Sequence, residues 1–181
     1  MKAKRTAAEF VTDSRAGEPS AWPRHCLATK VVAGDPTFGT VVMLTDAGTW
    51  IDTGSDIVRS WGYRGHVVIV APPRTRYLGE GRSEYCWFTR SHAGEVEPAS
   101  LGDALAHLEG LVLDLLDSGI ATTDRLWIVG LGEGGDLARE LVLYTHDRVA
   151  GIFATVDVAI PPEGFAEAAL AVIPAARNAH P

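Results

Sequence analysis

The chain has 181 residues, of which 46% are hydrophobic and 22% charged, and its formal net charge is -7. That apolar share fills the core of one ordered domain and excludes a disordered chain, while Lys and Arg too scattered to track a phosphate backbone exclude a nucleic-acid partner. No apolar run approaches the roughly 18 to 20 residues that span a bilayer, and Met1, Lys2, Ala3, Lys4 and Arg5 lead into no apolar signal segment, so a cytoplasmic protein with no membrane partner is expected.

Residues 1–24 are polar and turn-rich, with Gly17, Pro19 and Pro23 and no sustained period, and read as an N-terminal arm. Residues 25–181 read as a single domain. His25 to Val32 is a first strand, Gly34-Asp35-Pro36 a turn, and Gly39 to Leu44 an apolar strand ending in Thr45-Asp46-Ala47-Gly48. Asp56 to Trp61 is a short helix, and His66 to Ala71 a buried strand closed by Pro72-Pro73. Arg74 to Pro98 is polar and aromatic, a loop long enough to line a site. Leu101, Leu105, Leu108, Leu111, Val112 and Leu115 form the stripe of a helix that stops near Gly119. Arg125 to Val129 is a third buried strand, Gly130 to Gly135 a glycine-rich turn, Asp136 to Thr145 a helix and Val149 to Val156 a further strand. After Pro161-Pro162, Phe165 to Ile173 reads as a final helix. Strands alternating with helices at this spacing predict an α/β fold, a mainly parallel sheet of four or five strands flanked by helices. Cys26 and Cys86 read as free thiols.

Several local patterns follow one another in a recognisable order. Val41-Val42-Met43-Leu44 precedes the loop Thr45-Asp46-Ala47-Gly48, and Val68-Ile69-Val70-Ala71 runs into Pro72-Pro73. Trp87-Phe88 comes after a loop, and Arg125-Leu126-Trp127-Ile128-Val129-Gly130 leads to Gly134-Gly135, Leu137-Ala138 and Val149-Ala150-Gly151-Ile152. Over residues 39–162 this resembles the phospholipase/carboxylesterase branch of the α/β-hydrolases, the small esterases and acyl-protein thioesterases. The resemblance implies a serine on a Gly-x-Ser-x-Gly elbow, beside backbone N–H groups that hold the oxyanion. Here the elbow reads Gly130-Leu131-Gly132-Glu133-Gly134, so Gly132 stands where the nucleophile is expected. Thr45-Asp46 stands where the family carries His-Gly. The N–H groups of Ala47 and Glu133 are expected to point into the site, where the carboxylates of Asp46 and Glu133 would oppose a developing oxyanion. The triad acid and histidine implied by the family belong to later strands, which are not expected here, and His180, the only histidine after the elbow helix besides His146, has no strand to place it. Ordinary serine-hydrolase activity is therefore not expected.

Three functional readings follow. The first is a truncated, catalytically silent hydrolase-like subunit that associates with itself as a homo-oligomer or with an enzyme partner, because an open edge at Val149 to Val156 calls for a cover. It keeps a possible small-molecule pocket at Thr45, Asp46, Ala47, Gly48, Trp87, Phe88, Gly132, Glu133 and Gly134. The second is a non-hydrolytic enzyme of small-molecule biosynthesis, in which Asp46 and Glu133 supply the acid and base of a lyase or cyclase. The third is nucleotide binding, since Gly130, Gly132 and Gly135 satisfy Gly-x-Gly-x-x-Gly between a strand and a helix, with Asp157 after the next strand. Trp87 and Phe88, with Tyr85 and Cys86, either wall a pocket or pack the loop onto the sheet edge. The six histidines and two cysteines show no ligand spacing, and neither a metal nor a cofactor is expected.

Overall fold

The computed structural model describes residues 24–170 except 50, 146, 156 and 158. The expectations for the arm before Arg24 and for the end of the last helix fall outside these residues.

The centre of the molecule is set by three apolar runs. The strands β2 (Thr40–Leu44), β3 (His66–Val70) and β6 (Leu126–Leu131) are almost wholly buried, as strands covered on both faces must be. With β1 (Thr29–Val32) and β7 (Gly151–Thr155) they form one sheet in the order β1-β3-β2-β6-β7. All neighbours run parallel except β1, which joins β3 antiparallel. The expected mainly parallel sheet flanked by helices is the architecture found.

Alternation along the strands divides the core in two. Val42, Leu44, Val68, Val70, Leu126 and Ile128 face one side, where α2 (Pro98–Asp117) and α3 (Glu133–Thr145) bring Leu108, Leu115, Leu137 and Leu141. Val41, Met43, Val67, Ile69, Trp127 and Val129 face the other, under α1 (Gly54–Ser60), Trp61, Tyr63 and Phe165. Phe165 meets Trp61 and Phe153 edge to face at 5.7 and 5.5 Å between ring centroids, which fastens the last described turn to the sheet. Pro98 opens α2 at its first turn, and Gly119, at φ 72°, follows its end in the left-handed region that stops a helix.

The segment Arg74 to Pro98 departs from the expected loop. It holds a hairpin separate from the main sheet, made of β4 (Arg74–Gly79) and β5 (Arg82–Cys86). Its reversal, Gly79-Glu80-Gly81, has positive φ at all three residues. No apolar alternation announced these strands, because the inner face carries Arg74, Arg76 and Glu84 paired as ions rather than buried as hydrocarbon. The elbow is also tighter than expected. The strand continues to Leu131 and the helix starts at Glu133, leaving Gly132 alone as the turn rather than Gly130 to Gly135. The first strand is shorter than His25 to Val32, and Ala166–Leu170 forms a wide helical turn.

Gly130 is glycine for packing, not for turning: a Cβ there would lie 2.2 Å from the carbonyl oxygen of Gly134, within backbone that cannot swing aside. Gly130→Ala should lower the unfolding free energy by at least about 2 kcal/mol. Gly102→Ala, in the exposed interior of α2 with nothing within 4 Å of the added methyl, should raise it by about 0.5–1 kcal/mol. Urea unfolding of the two variants beside the parent chain measures both signs.

Candidate functional site

The C-terminal ends of β2 and β6 place the candidate residues together. Beyond Leu44, the amide and hydroxyl of Thr45 both donate to the carbonyl of Val70, each at 3.2 Å, which pins the start of the loop inside the fold. The Trp87 indole N–H donates to the Thr45 carbonyl at 2.7 Å, and Gly48, at φ 70°, donates its amide to the Tyr85 carbonyl at 2.8 Å. Loop 45–49 is thereby stitched to the end of the hairpin.

On the β6 side, Gly132 adopts φ 50°, and its carbonyl accepts the amides of Gly135 and Asp136 to begin α3. The helix meets the end of β2 without side chains between them, since a Cβ on Gly134 would lie 2.6 Å from the Leu44 carbonyl oxygen. This approach brings the amide of Glu133 to Asp46. The Asp46 Oδ1 accepts that amide at 2.7 Å and the amide of Ala47 at 2.8 Å. Two backbone donors thus converge on one carboxylate oxygen, at the first turn of a helix where negative charge is favoured.

The same carboxylate fills the space over the elbow. A Cβ built on Gly132 would stand 2.2 Å from both Cγ and Oδ1 of Asp46. The N–H groups of Ala47 and Glu133 both meet the Asp46 carboxylate, their hydrogen-bonded occupant.

Glu133 is held differently. Its side chain is 8% exposed. Oε2 accepts the backbone amide of Trp87 at 2.8 Å, while Oε1 lies 3.3 Å from Arg76 and 4.0 Å from Arg90. Arg76 also clamps Glu84, with Nε 2.9 Å from Oε1 and a second, shorter contact from Nη2. The Glu84 hydrogen bond, with the Glu133 charge behind it, holds the Arg76 guanidinium even more firmly protonated than usual. Burial pushes the neighbouring Cys86 thiol up, and the Glu133 charge adds to the shift, so Cys86 stays an inert thiol.

The structure therefore gathers Thr45, Asp46, Ala47, Gly48, Trp87, Gly132, Glu133 and Gly134 around one elbow. Asp46 and Glu133 do meet, but through the carboxylate of one and the backbone of the other. Trp87 is closed inside the core, and Phe88, 2% exposed, forms the floor of a separate hollow. Arg76, Glu84 and Arg90 were not foreseen. Their only sequence signal was Arg and Glu at alternate positions of a stretch without apolar alternation. The glycine motif is used in packing, with Gly130 against Gly134 and Gly135 against Ala154. Asp157 accepts the amide of Ala159 in a local turn. Among the described residues, no three His, Cys, Asp or Glu side chains gather as metal ligands, and no helix is long and apolar enough to cross a membrane.

No family model matches the chain, and no curated protein matches it in sequence. Solved structures do match in fold. The Bacillus cereus carboxylesterase superposes with a TM-score of 0.59 at 15% identity, over 71% of this chain and 59% of that one. A carboxylesterase from Mesorhizobium loti gives 0.59 at 16% identity, over 72% and 60%. YahD, solved with malic acid, gives 0.56 at 14% identity, over 71% and 62%. The chain has an α/β-hydrolase-like fold and spans about three fifths of the length of the solved structures it matches.

Two expectations follow from this geometry. Gly132→Ala should lower stability by about 2 kcal/mol or more, combining a left-handed backbone with the overlap on Asp46; in an Asp46→Gly background the cost should shrink to the backbone part, about 1–2 kcal/mol. A double-mutant cycle from urea titrations isolates that coupling. Thiol alkylation followed by mass spectrometry should modify exposed Cys26 first in the folded protein, with buried Cys86 reacting only after denaturant is added.

Proposed function

We propose that the chain is a catalytically silent α/β-hydrolase-like protein that acts as a subunit, associating with itself or with an enzyme partner. The observation that carries this reading is the Asp46 carboxylate, which fills the space over Gly132 and accepts the amides of both Ala47 and Glu133. A serine nucleophile needs that space, and an oxyanion needs those donors. Glycine at the turn supplies no group to acylate.

The reading of association rests on the sheet edge. Among the described residues β7 pairs only with β6. The amide of Gly132 donates to the Thr155 carbonyl, which in this parallel ladder turns the backbone groups of Gly151, Phe153 and Thr155 toward β6 and those of Ile152 and Ala154 outward. All five residues of β7 are only half-buried, unlike those of β6. Such a strand gains most from a cover that brings its own hydrogen bonds.

Sedimentation velocity of the full chain across micromolar concentrations, with native mass spectrometry of protein drawn gently from its own cells, tests the association. A mass above one chain, or a stoichiometric protein partner, is expected; a bare monomer in both measurements overturns it. Catalytic silence is tested with p-nitrophenyl esters and a fluorophosphonate label. Neither should react above the rate of buffer, and turnover that vanishes in Asp46→Asn or Glu133→Gln would replace silence with acid–base chemistry at the elbow.

A further inference from the structure

A second concavity lies beside the elbow, between the segment that follows the hairpin and the first turns of α2 and α3. Its volume is about 250 Å3. That is below the roughly 300–1,000 Å3 of pockets for drug-sized molecules, so an occupant must be small. Phe88, Val96 and Leu101 give it an apolar floor continuous with the core.

The rim carries both signs of charge. The Arg90 guanidinium sits 5.1 Å above the centre of the Phe88 ring, and its Nη1 donates to the Gly94 carbonyl at 3.2 Å. Its approaches to carboxylates, 4.0 Å to Glu133 and 3.9 Å to Asp136, exceed hydrogen-bond length. A guanidinium has five N–H donors, so Arg90 keeps donors to offer. Arg139 is closed on Asp136 at 2.8 Å. The side chain of Glu140, exposed on the same rim, has no hydrogen-bond or ion-pair partner among the described residues.

These groups select a ligand class. A simple carboxylate would satisfy Arg90 but would face Asp136 and Glu140 in a protein already at net charge -7. A simple amine would face two guanidiniums. A molecule with an anionic and a cationic group a few ångströms apart on one short apolar body meets every part of the hollow. We propose that this hollow binds an apolar α-amino acid as its zwitterion. The side chain lies on Phe88, Val96 and Leu101, the carboxylate takes the free donors of Arg90, and the ammonium lies at Glu140 and Asp136. The hollow shares Arg90 with the elbow, where its guanidinium lies 4.0 Å from Glu133, but uses neither Asp46 nor Gly132.

Calorimetric titration of the full chain with L-leucine and L-phenylalanine tests it. Saturable binding is expected, weaker by roughly tenfold or more for N-acetyl-L-phenylalanine, which lacks the ammonium, and for phenethylamine, which lacks the carboxylate. Arg90→Gln should weaken L-phenylalanine binding by roughly tenfold or more on the same grounds. Glu140→Gln touches no described partner, folds as the parent does, and should weaken it several-fold. Absence of saturable binding by both amino acids overturns the proposal, as does equal affinity for the acetylated compound or unchanged affinity in Glu140→Gln. The Asp46→Gly variant should bind as the parent does, which separates this site from the elbow.

Discussion

The first turn of α3 rests directly on the carbonyl end of β2, and most of the site follows from that contact. Backbone meets backbone here: Cβ atoms on Gly130 or Gly134 would stand 2.2 and 2.6 Å from carbonyl oxygens. Three glycines within five residues therefore remove every side chain from a seam that must close to hydrogen-bond distance. Once it closes, the amide of Glu133 is delivered to loop 45–49 and the Asp46 carboxylate bridges two segments 87 residues apart in sequence. Anything bulkier along the seam would lift the helix and take the Glu133 amide away from Asp46.

Two acidic residues meet at this junction, the carboxylate of Asp46 on the backbone of Glu133, and each carboxylate is stabilised by a different kind of partner. Asp46 relies on oriented backbone amides at a helix start, which bring no counter-charge of their own. Glu133, nearly closed off from water, relies on a backbone amide of Trp87 and on the Arg76 guanidinium, because an unpaired buried carboxylate would cost several kcal/mol. Arg76 is in turn fixed by Glu84 across the hairpin. The hairpin, which shares no hydrogen-bond ladder with the main sheet, is thus fastened over the elbow by charge and by the Gly48 and Trp87 hydrogen bonds.

Much of the framework was legible because burial on two sides leaves a plain trace. Val41 to Leu44, His66 to Val70 and Leu126 to Val129 are continuous apolar runs, and the α2 stripe repeats at helical spacing. The hairpin was not legible, since its inward residues are charged and its stability comes from partners distant in sequence. The elbow was legible as a motif and Gly132 as its turn. What spacing does not carry is the direction of a side chain. Asp46 was expected beside the two amides as a charge that opposes a developing oxyanion, and the close approach of α3 makes it the acceptor of the Glu133 amide as well as that of Ala47. Trp87 and Phe88 are adjacent and share one core cluster, yet Phe88 also forms the floor of a neighbouring hollow.

The strand order also has a consequence for how the chain folds. β2 lies between β3 and β6, so its second neighbour arrives only after the hairpin, the whole of α2 and β6 have been made. Until then one backbone edge of a strand that is wholly buried in the finished fold waits without a partner. Pairings of such long sequence separation close slowly, because the entropy of the intervening loop is lost before the contacts form. The central strand is thus the most protected in the finished molecule and among the most vulnerable in a growing one, a window in which another chain or a chaperone can engage it first.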